Sequence, residues 1–372
     1  MRIVFADPTL AYTVATAYEQ PLGGCQSAIC HVSDALAAAG HEVLLLTATE
    51  SPAIERGVIC KGWDLTSQRE LREFRADVVV SSPSAKYAED LRHIFGGDPR
   101  LILWTGHAHD QPSVQPLLDP AQRMLYDGYS FVSEWQSRNF SEKFSLDPAR
   151  VKVIGYAASP AFLKLFAAGD DIGPAKDRPP VLAYTSTPFR GLHILLAVFP
   201  EIRRRVPGIR LKVYSSMRVY QVSDARDESE FGALYRQCAE TEGVEYIGSL
   251  PQPQLARELR RVTALAYPNT FPETYCISAL EAMAAGCSVV SSELGALPET
   301  TAGYARLVPI INRKDTYAGE FIDATVDALN ESASGTDAAL LAAQVAYVNS
   351  ACTWQIRAQA WLAWLESLPR KR

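Results

Sequence analysis

The chain has 372 residues, 48% hydrophobic and 21% charged, with 36 Lys plus Arg against 42 Asp plus Glu and a net charge of −6. That length gives two domains of ordinary size, the apolar content excludes a disordered chain, and the acidic balance excludes a protein built to neutralise nucleic-acid phosphates. No apolar run reaches about 18 residues, so no transmembrane helix is predicted. The opening MRIVFADPT meets Asp7 too early for a signal-peptide core. Seven scattered cysteines form no CxxC pair, so free thiols and a cytoplasmic location are expected.

RIVFA opens as a buried strand, and residues 25–39 follow as a helix with Ile29, Val32, Leu36 and Ala39 at helical spacing and Gly40 at its C-cap. HEVLLLT, DVVVSS (77–82), LILWT (101–105), YSFVS (129–133) and VKVIG (151–155) continue as strands. Residues 156–180, rich in Gly, Asp and Pro, read as a linker. The alternation then restarts: strands at VLAYTST (181–187), IRLKVYS, VEYIG, TALAYP and SVVSS, with helices over 191–205, 229–241, 252–261 and 276–285. Continuous apolar strands alternating with helices predict parallel sheets covered on both faces, hence two doubly wound α/β domains facing a cleft. Trp354, Ala358, Trp361 and Leu365 form the apolar stripe of a last helix, and Arg370, Lys371 and Arg372 form a solvated tail.

The most informative stretch runs from Pro268 to Thr300. Thr274 is placed to cap a helix whose first free amides belong to Tyr275, Cys276 and Ile277, an arrangement that attracts phosphate. Glu281 sits at the edge of that helix's apolar face, where a carboxylate needs a partner, and a ribose diol supplies two hydroxyls to it. Glu273 precedes the helix. Together these residues resemble the E-x7-E signature of the retaining family 4 glycosyltransferases with the GT-B fold. EAMAAG and the following VV strand continue the match, while Cys276 stands where that family usually has glycine.

Three further segments carry the resemblance. In TSTPFRGLHILL, Arg190 and Gly191 take the place of the family's Lys-Gly pair. An earlier cation is missing there, and Tyr184, Thr185, Ser186 and Thr187 fill the loop with hydroxyls. Arg190 can hold phosphate through parallel N–H bonds. PLGGCQSAIC resembles the family's glycine loop, with Gly23 and Gly24 letting the backbone approach a diphosphate. LILWTGHAHD places His107 and His109 at a sheet's C-terminal edge, and His107 is the closer match to the family's active-site histidine. His107, His109 and Asp110 also admit a metal reading, but no further ligand cluster accompanies them, so no metal is expected. EYIGSLPQ resembles the loop that meets the base, through backbone around Gly248 to Leu250. No D-x-D occurs in the chain.

The resemblance implies an N-terminal, acceptor-side Rossmann-like domain over 1–155, completed by a C-terminal helix over 353–369. It implies a linker over 156–180 and a nucleotide-sugar domain over 181–350. The implied activity is retaining, metal-independent transfer of a hexosyl group from a nucleoside-diphosphate sugar to a hydroxyl of a carbohydrate, glycolipid or small molecule. No separate cofactor is implied. Catalysis would involve His107, Glu273 and Arg190. The donor would be bound by Gly23, Gly24, Ser186, Arg190, Gly248, Leu250, Glu273, Thr274, Tyr275, Cys276, Ile277 and Glu281, and the acceptor would enter past Tyr12 and Tyr18. Peripheral contact with the inner face of a membrane stays compatible with this reading. The rival readings are an epimerase of GT-B shape and a non-catalytic sugar-nucleotide-binding protein.

Overall fold

The computed structural model describes residues 1–96, 99–310 and 314–368. The tail at 370–372 and the last residue of the expected 353–369 helix lie outside them. Contacts divide the chain into two units: Met1–Ala17, Gly23–Ala157 and the chain from Trp354 onward form one, and Tyr18–Leu22 with Ala158–Thr353 form the other.

The first unit is built on strands β1 (Arg2–Asp7), β2 (Glu42–Thr47), β3 (Ala53–Glu55), β4 (Val58–Gly62), β5 (Val78–Ser81), β6 (Arg100–Thr105), β7 (Gly128–Phe131) and β8 (Val151–Val153). They lie in the order β3-β4-β2-β1-β5-β6-β7-β8. All pairs are parallel except β3 with β4. Phe5 pairs with Leu45 on one side and Val80 on the other. Central strands are buried on both faces, which is why they read as unbroken apolar runs. On one face Val4, Leu46, Leu103, Phe131 and Phe140 join a continuous core.

The last helix, Trp354–Ser367, belongs to this unit. Trp354, Ala358, Trp361 and Leu365 are all buried. The Trp361 ring meets Trp104 edge-on at 5.4 Å and Phe5 at 6.4 Å, while Trp354 lies 5.9 Å from the His31 ring on the Gly24–Ala38 helix. The helix's C-terminal carbonyls need donors. Arg100, buried on β6, supplies them to Leu365 and Leu368.

The second unit has strands β9 (Val181–Tyr184), β10 (Arg210–Val213), β11 (Val244–Tyr246), β12 (Ala264–Tyr267), β13 (Ser288–Glu293) and β14 (Arg306–Pro309). All are parallel, in the order β11-β10-β9-β12-β13-β14. The segment 158–180 packs within this unit. Phe166 and Ile172 pack with Leu341 and Val345. The buried Lys176 ammonium donates to the carbonyls of Ala285 (2.8 Å) and Arg260 (3.2 Å). The helix expected over 229–241 starts earlier, at Asp224, because Ser223 caps it by accepting from the Arg226 N–H.

Candidate functional site

In the second sheet, β10 and β12 flank β9, so the chain reverses its direction of travel across the sheet between β9 and β12. Loops leaving the C-terminal ends of two such strands diverge and leave a crevice, where open α/β sheets bind their ligands. The loop after β9 carries Thr185 to Arg190, and the loop after β12 carries Pro268 to Cys276.

These two loops meet through one pair of charges. Arg190 Nη1 donates to both Glu273 oxygens, at 2.8 and 3.0 Å. The Tyr267 hydroxyl donates to Glu273 Oε1 at 2.5 Å, and Ser186 Oγ donates to the Tyr267 oxygen at 3.3 Å. Arg190 also lies over the Phe271 ring at 4.6 Å and the Phe189 ring at 5.5 Å. Burial works against the arginine's charge, and the Glu273 carboxylate more than restores it, so its pKa is raised. Two glycines permit this approach. A Cβ on Gly191 (φ +114°) would stand 2.1 Å from the Pro268 carbonyl oxygen, and one on Gly295 (φ +65°) 2.4 Å from the Glu273 carbonyl oxygen. The Ala296 N–H donates to that same Glu273 carbonyl at 2.7 Å.

The helix after Glu273 spans Ile277–Ala284. This corrects the expected capping. Cys276, not Thr274, is the N-cap, and no side chain caps the helix by a hydrogen bond. The first helical amides are therefore those of Ile277, Ser278 and Ala279, two residues later than the sequence suggested for the start of the set. Tyr275 and Cys276 precede the helix, and the Tyr275 carbonyl accepts from Thr300 Oγ1 at 2.5 Å. Cys276 is buried and left-handed, with φ +87°. The other six non-glycine residues with positive φ among those described are exposed. Ser278 Oγ donates to the Thr185 carbonyl at 2.7 Å and ties this helix to the β9 loop.

Several donors here lack partners among the described residues: the buried hydroxyls of Thr185, Thr187 and Ser215, and Arg190 Nε. Buried donors of this kind are normally satisfied. They follow β9 and β10, at the C-terminal edge of the sheet.

Glu281 is buried, and burial pushes its pKa up to about 8. Its Oε1 accepts from the Ser159 N–H at 3.4 Å and from Gln252 Nε2 at 3.1 Å. The sequence reading missed Gln252, although only Pro251 separates it from the Gly248–Leu250 loop. That loop is half-buried, with Gly248 at φ +79° and Ser249 Oγ 2.6 Å from Ser216 Oγ.

In the first unit, Gly23 caps the Gly24–Ala38 helix with its backbone alone. His107 follows β6, and its N–H donates to Thr105 Oγ1 at 3.0 Å. Its Nδ1 is 2.6 Å from Ser113 Oγ, and burial lowers its pKa against a hydrogen bond to the Pro83 backbone. Gln136 Nε2 holds the carbonyls of Thr105 (3.0 Å) and His107 (2.7 Å). His109 Nδ1 is buried without a partner among the described residues. Tyr12, expected to border an acceptor path, is instead buried, with its hydroxyl donating to Asp7 Oδ2 at 3.0 Å. Among the described residues no group of three or more His, Cys, Asp or Glu is placed to hold a metal ion, and no helix is long and apolar enough to cross a membrane.

Residues 179–331 match the family described as glycosyl transferases group 1. D-inositol 3-phosphate glycosyltransferase of Segniliparus rotundus is 25% identical over 200 residues, which cover 50% of this chain and 42% of that protein. The chain thus spans less than half the length of that curated relative. A solved glycosyltransferase from Rickettsia africae superposes with a TM-score of 0.71 at 11% identity, covering 99% of this chain and 98% of the other. The Anabaena protein HepE, solved in complex with UDP-glucose, superposes with a TM-score of 0.67 at 15% identity, covering 99% and 100%. The chain therefore has the GT-B fold, and the group 1 match falls on the unit that carries Arg190, Glu273 and Glu281.

Proposed function

We propose that the protein is a retaining, metal-independent glycosyltransferase of the hexosyl type, using a nucleoside-diphosphate sugar as donor and a hydroxyl of a carbohydrate, glycolipid or small molecule as acceptor. The observation that carries this reading is the meeting of Arg190 and Glu273 at the β9/β12 reversal, beside orphaned donors and an uncapped helix N-terminus. A diphosphate fits that chemistry. Arg190 Nε, the Thr185 and Thr187 hydroxyls and the amides of Ile277 to Ala279 can each donate to its oxygens, and the helix end favours negative charge. Thr274, Tyr275 and Cys276 line the approach to that helix. Glu281 accepts from the ribose, and backbone from Gly248 to Leu250 meets the base. Glu273 and Ser186 lie nearest the sugar. In the first unit we assign Gly23 and Gly24 to the diphosphate and His107 to the sugar close to its reacting carbon. Residues 1–155 with the last helix would serve the acceptor, and 181–350 the donor.

In the transfer step the bond from the anomeric carbon to the leaving phosphate breaks, and the acceptor oxygen bonds to that carbon on the same face. The acceptor proton passes to the leaving phosphate. Arg190 and the helix amides stabilise the charge that develops there. HepE was solved with UDP-glucose, which supports a nucleotide sugar as donor here. The test is a thermal-shift and calorimetric screen of UDP, GDP and ADP and their sugar conjugates. A cognate ligand at 100 times its dissociation constant adds about 2.7 kcal/mol of stability. Binding of no nucleoside diphosphate, or donor hydrolysis with inversion, overturns the reading.

A further inference from the structure

Glu281 offers its two oxygens unequally. Oε1 accepts from Gln252 Nε2 at 3.1 Å and from the Ser159 N–H at 3.4 Å. No hydrogen bond to Oε2 is formed among the described residues. A carboxylate anchored at one oxygen cannot rotate freely, so the remaining oxygen is held in one direction before any ligand arrives. Such preorganisation lowers the cost of binding.

Gln252 is also connected to the loop read as meeting the base. It opens the Gln252–Leu259 helix, with Pro251 at the N-cap and the Gly248–Leu250 loop immediately before it. One residue therefore joins the end of that loop to the carboxylate on another helix, 29 positions further along the chain.

We propose that Gln252 is a positioning residue: by occupying Glu281 Oε1 it leaves Oε2 for a hydroxyl of the nucleoside sugar, and so makes the site selective for ribonucleotides over those lacking the 2′ and 3′ hydroxyls. This rests on the assignment of Glu281 to the ribose. Gln252 touches no reacting atom. It acts through the carboxylate, and its amide is suited to the task because it donates without adding a charge.

The experiment compares the full chain and its Gln252→Ala and Glu281→Ala variants by calorimetry at about pH 9, where Glu281, which burial pushes up to about 8, is ionised. The ligands are UDP, GDP and ADP, each beside its 2′,3′-dideoxy counterpart. The parent protein is expected to prefer the ribonucleotide. Gln252→Ala should weaken the ribonucleotide about tenfold, on the scale of a hydrogen bond to a charged group, and leave the dideoxy form unchanged. Equal losses for both ligands in Gln252→Ala would make the residue merely structural and overturn the inference. No loss in that variant, with discrimination still abolished by Glu281→Ala, would overturn the inference and leave the ribose assignment standing. If Glu281→Ala itself leaves the ribo-to-dideoxy ratio unchanged, the ribose assignment fails and the inference falls with it.

Discussion

Arg190 reaches both oxygens of the Glu273 carboxylate with a single nitrogen, at 2.8 and 3.0 Å, across 83 positions of sequence. The pair joins the loop of one strand to that of its neighbour. Their side chains are 21% and 7% exposed, so removing one partner leaves the other poorly solvated. Arg190→Ala should therefore destabilise the protein by about 3–5 kcal/mol, as breaking a buried pair does. It should also weaken a nucleoside diphosphate much more than the corresponding nucleoside. Chemical denaturation and calorimetry read the two effects, and equal weakening of both ligands would refute the phosphate role.

Glu273→Gln keeps the shape and the Tyr267 contact but releases the arginine's charge. Nucleoside diphosphate binding should be kept or strengthened, while transfer should fall by about 10²-fold or more if the carboxylate stabilises the reacting sugar. Unchanged turnover would show that Glu273 serves only to hold Arg190.

Glu281 gives a pH signature. Its pKa rises from the ordinary 4.5 to about 8 because burial disfavours the ionised form. A carboxyl raised in the folded state favours folding while it is protonated, so this contribution is full below about pH 4.5 and is lost as pH rises towards 8. Parent minus Glu281→Gln stability should fall across that window. Nucleotide affinity should run the other way, because a diol donates best to the ionised carboxylate. Parallel slopes for parent and variant would refute this assignment.

Cys276 should invert the usual ranking of alanine and glycine. At φ +87° a Cβ is strained, so Cys276→Gly should be more stable than Cys276→Ala, although alanine is normally the better helix residue by about 0.5–1 kcal/mol. Thermal unfolding of the two variants decides it.

His107→Ala should lower kcat by about 10²-fold with little change in nucleoside diphosphate binding, and Ser113→Ala should reproduce part of the loss by freeing the ring. His109→Ala should be milder. A more damaging His109→Ala would transfer the role to the histidine whose Nδ1 lacks a partner among the described residues. Transfer should also persist in excess EDTA, and restoration of a lost activity by Mg²⁺ or Mn²⁺ would count against metal independence.

The parallel strands were legible because burial on both faces writes itself as continuous apolar sequence, as in VLLL at 43–46 and VVV at 78–80. β3 was not: three residues, Ile54 exposed at 76%, leave no pattern to read. The start of the Asp224–Glu240 helix was hidden because its first turns are polar, with Arg226 and Glu230 paired in solvent at 2.7 Å. At the site, Arg190, Glu273 and Glu281 could be picked out singly. Their partners could not, since the Arg190–Glu273 and Gln252–Glu281 contacts depend on which strands lie side by side. The misplaced cap has a local cause. Thr274 is the favourable cap by residue type, but the left-handed turn at Cys276 delays the helix.

The return of Trp354–Ser367 to the first unit has a consequence for biosynthesis. A ribosome releases residues 1–157 long before the helix that covers Phe5 and Trp104. The nascent first unit must wait, with that apolar face uncovered, while nearly two hundred further residues are made. The second unit, contiguous but for the short 18–22 segment, has no such delay. Folding order in the cell should thus run against the order of synthesis, and a chaperone that shields apolar surface would find its binding site on the half of the molecule made first.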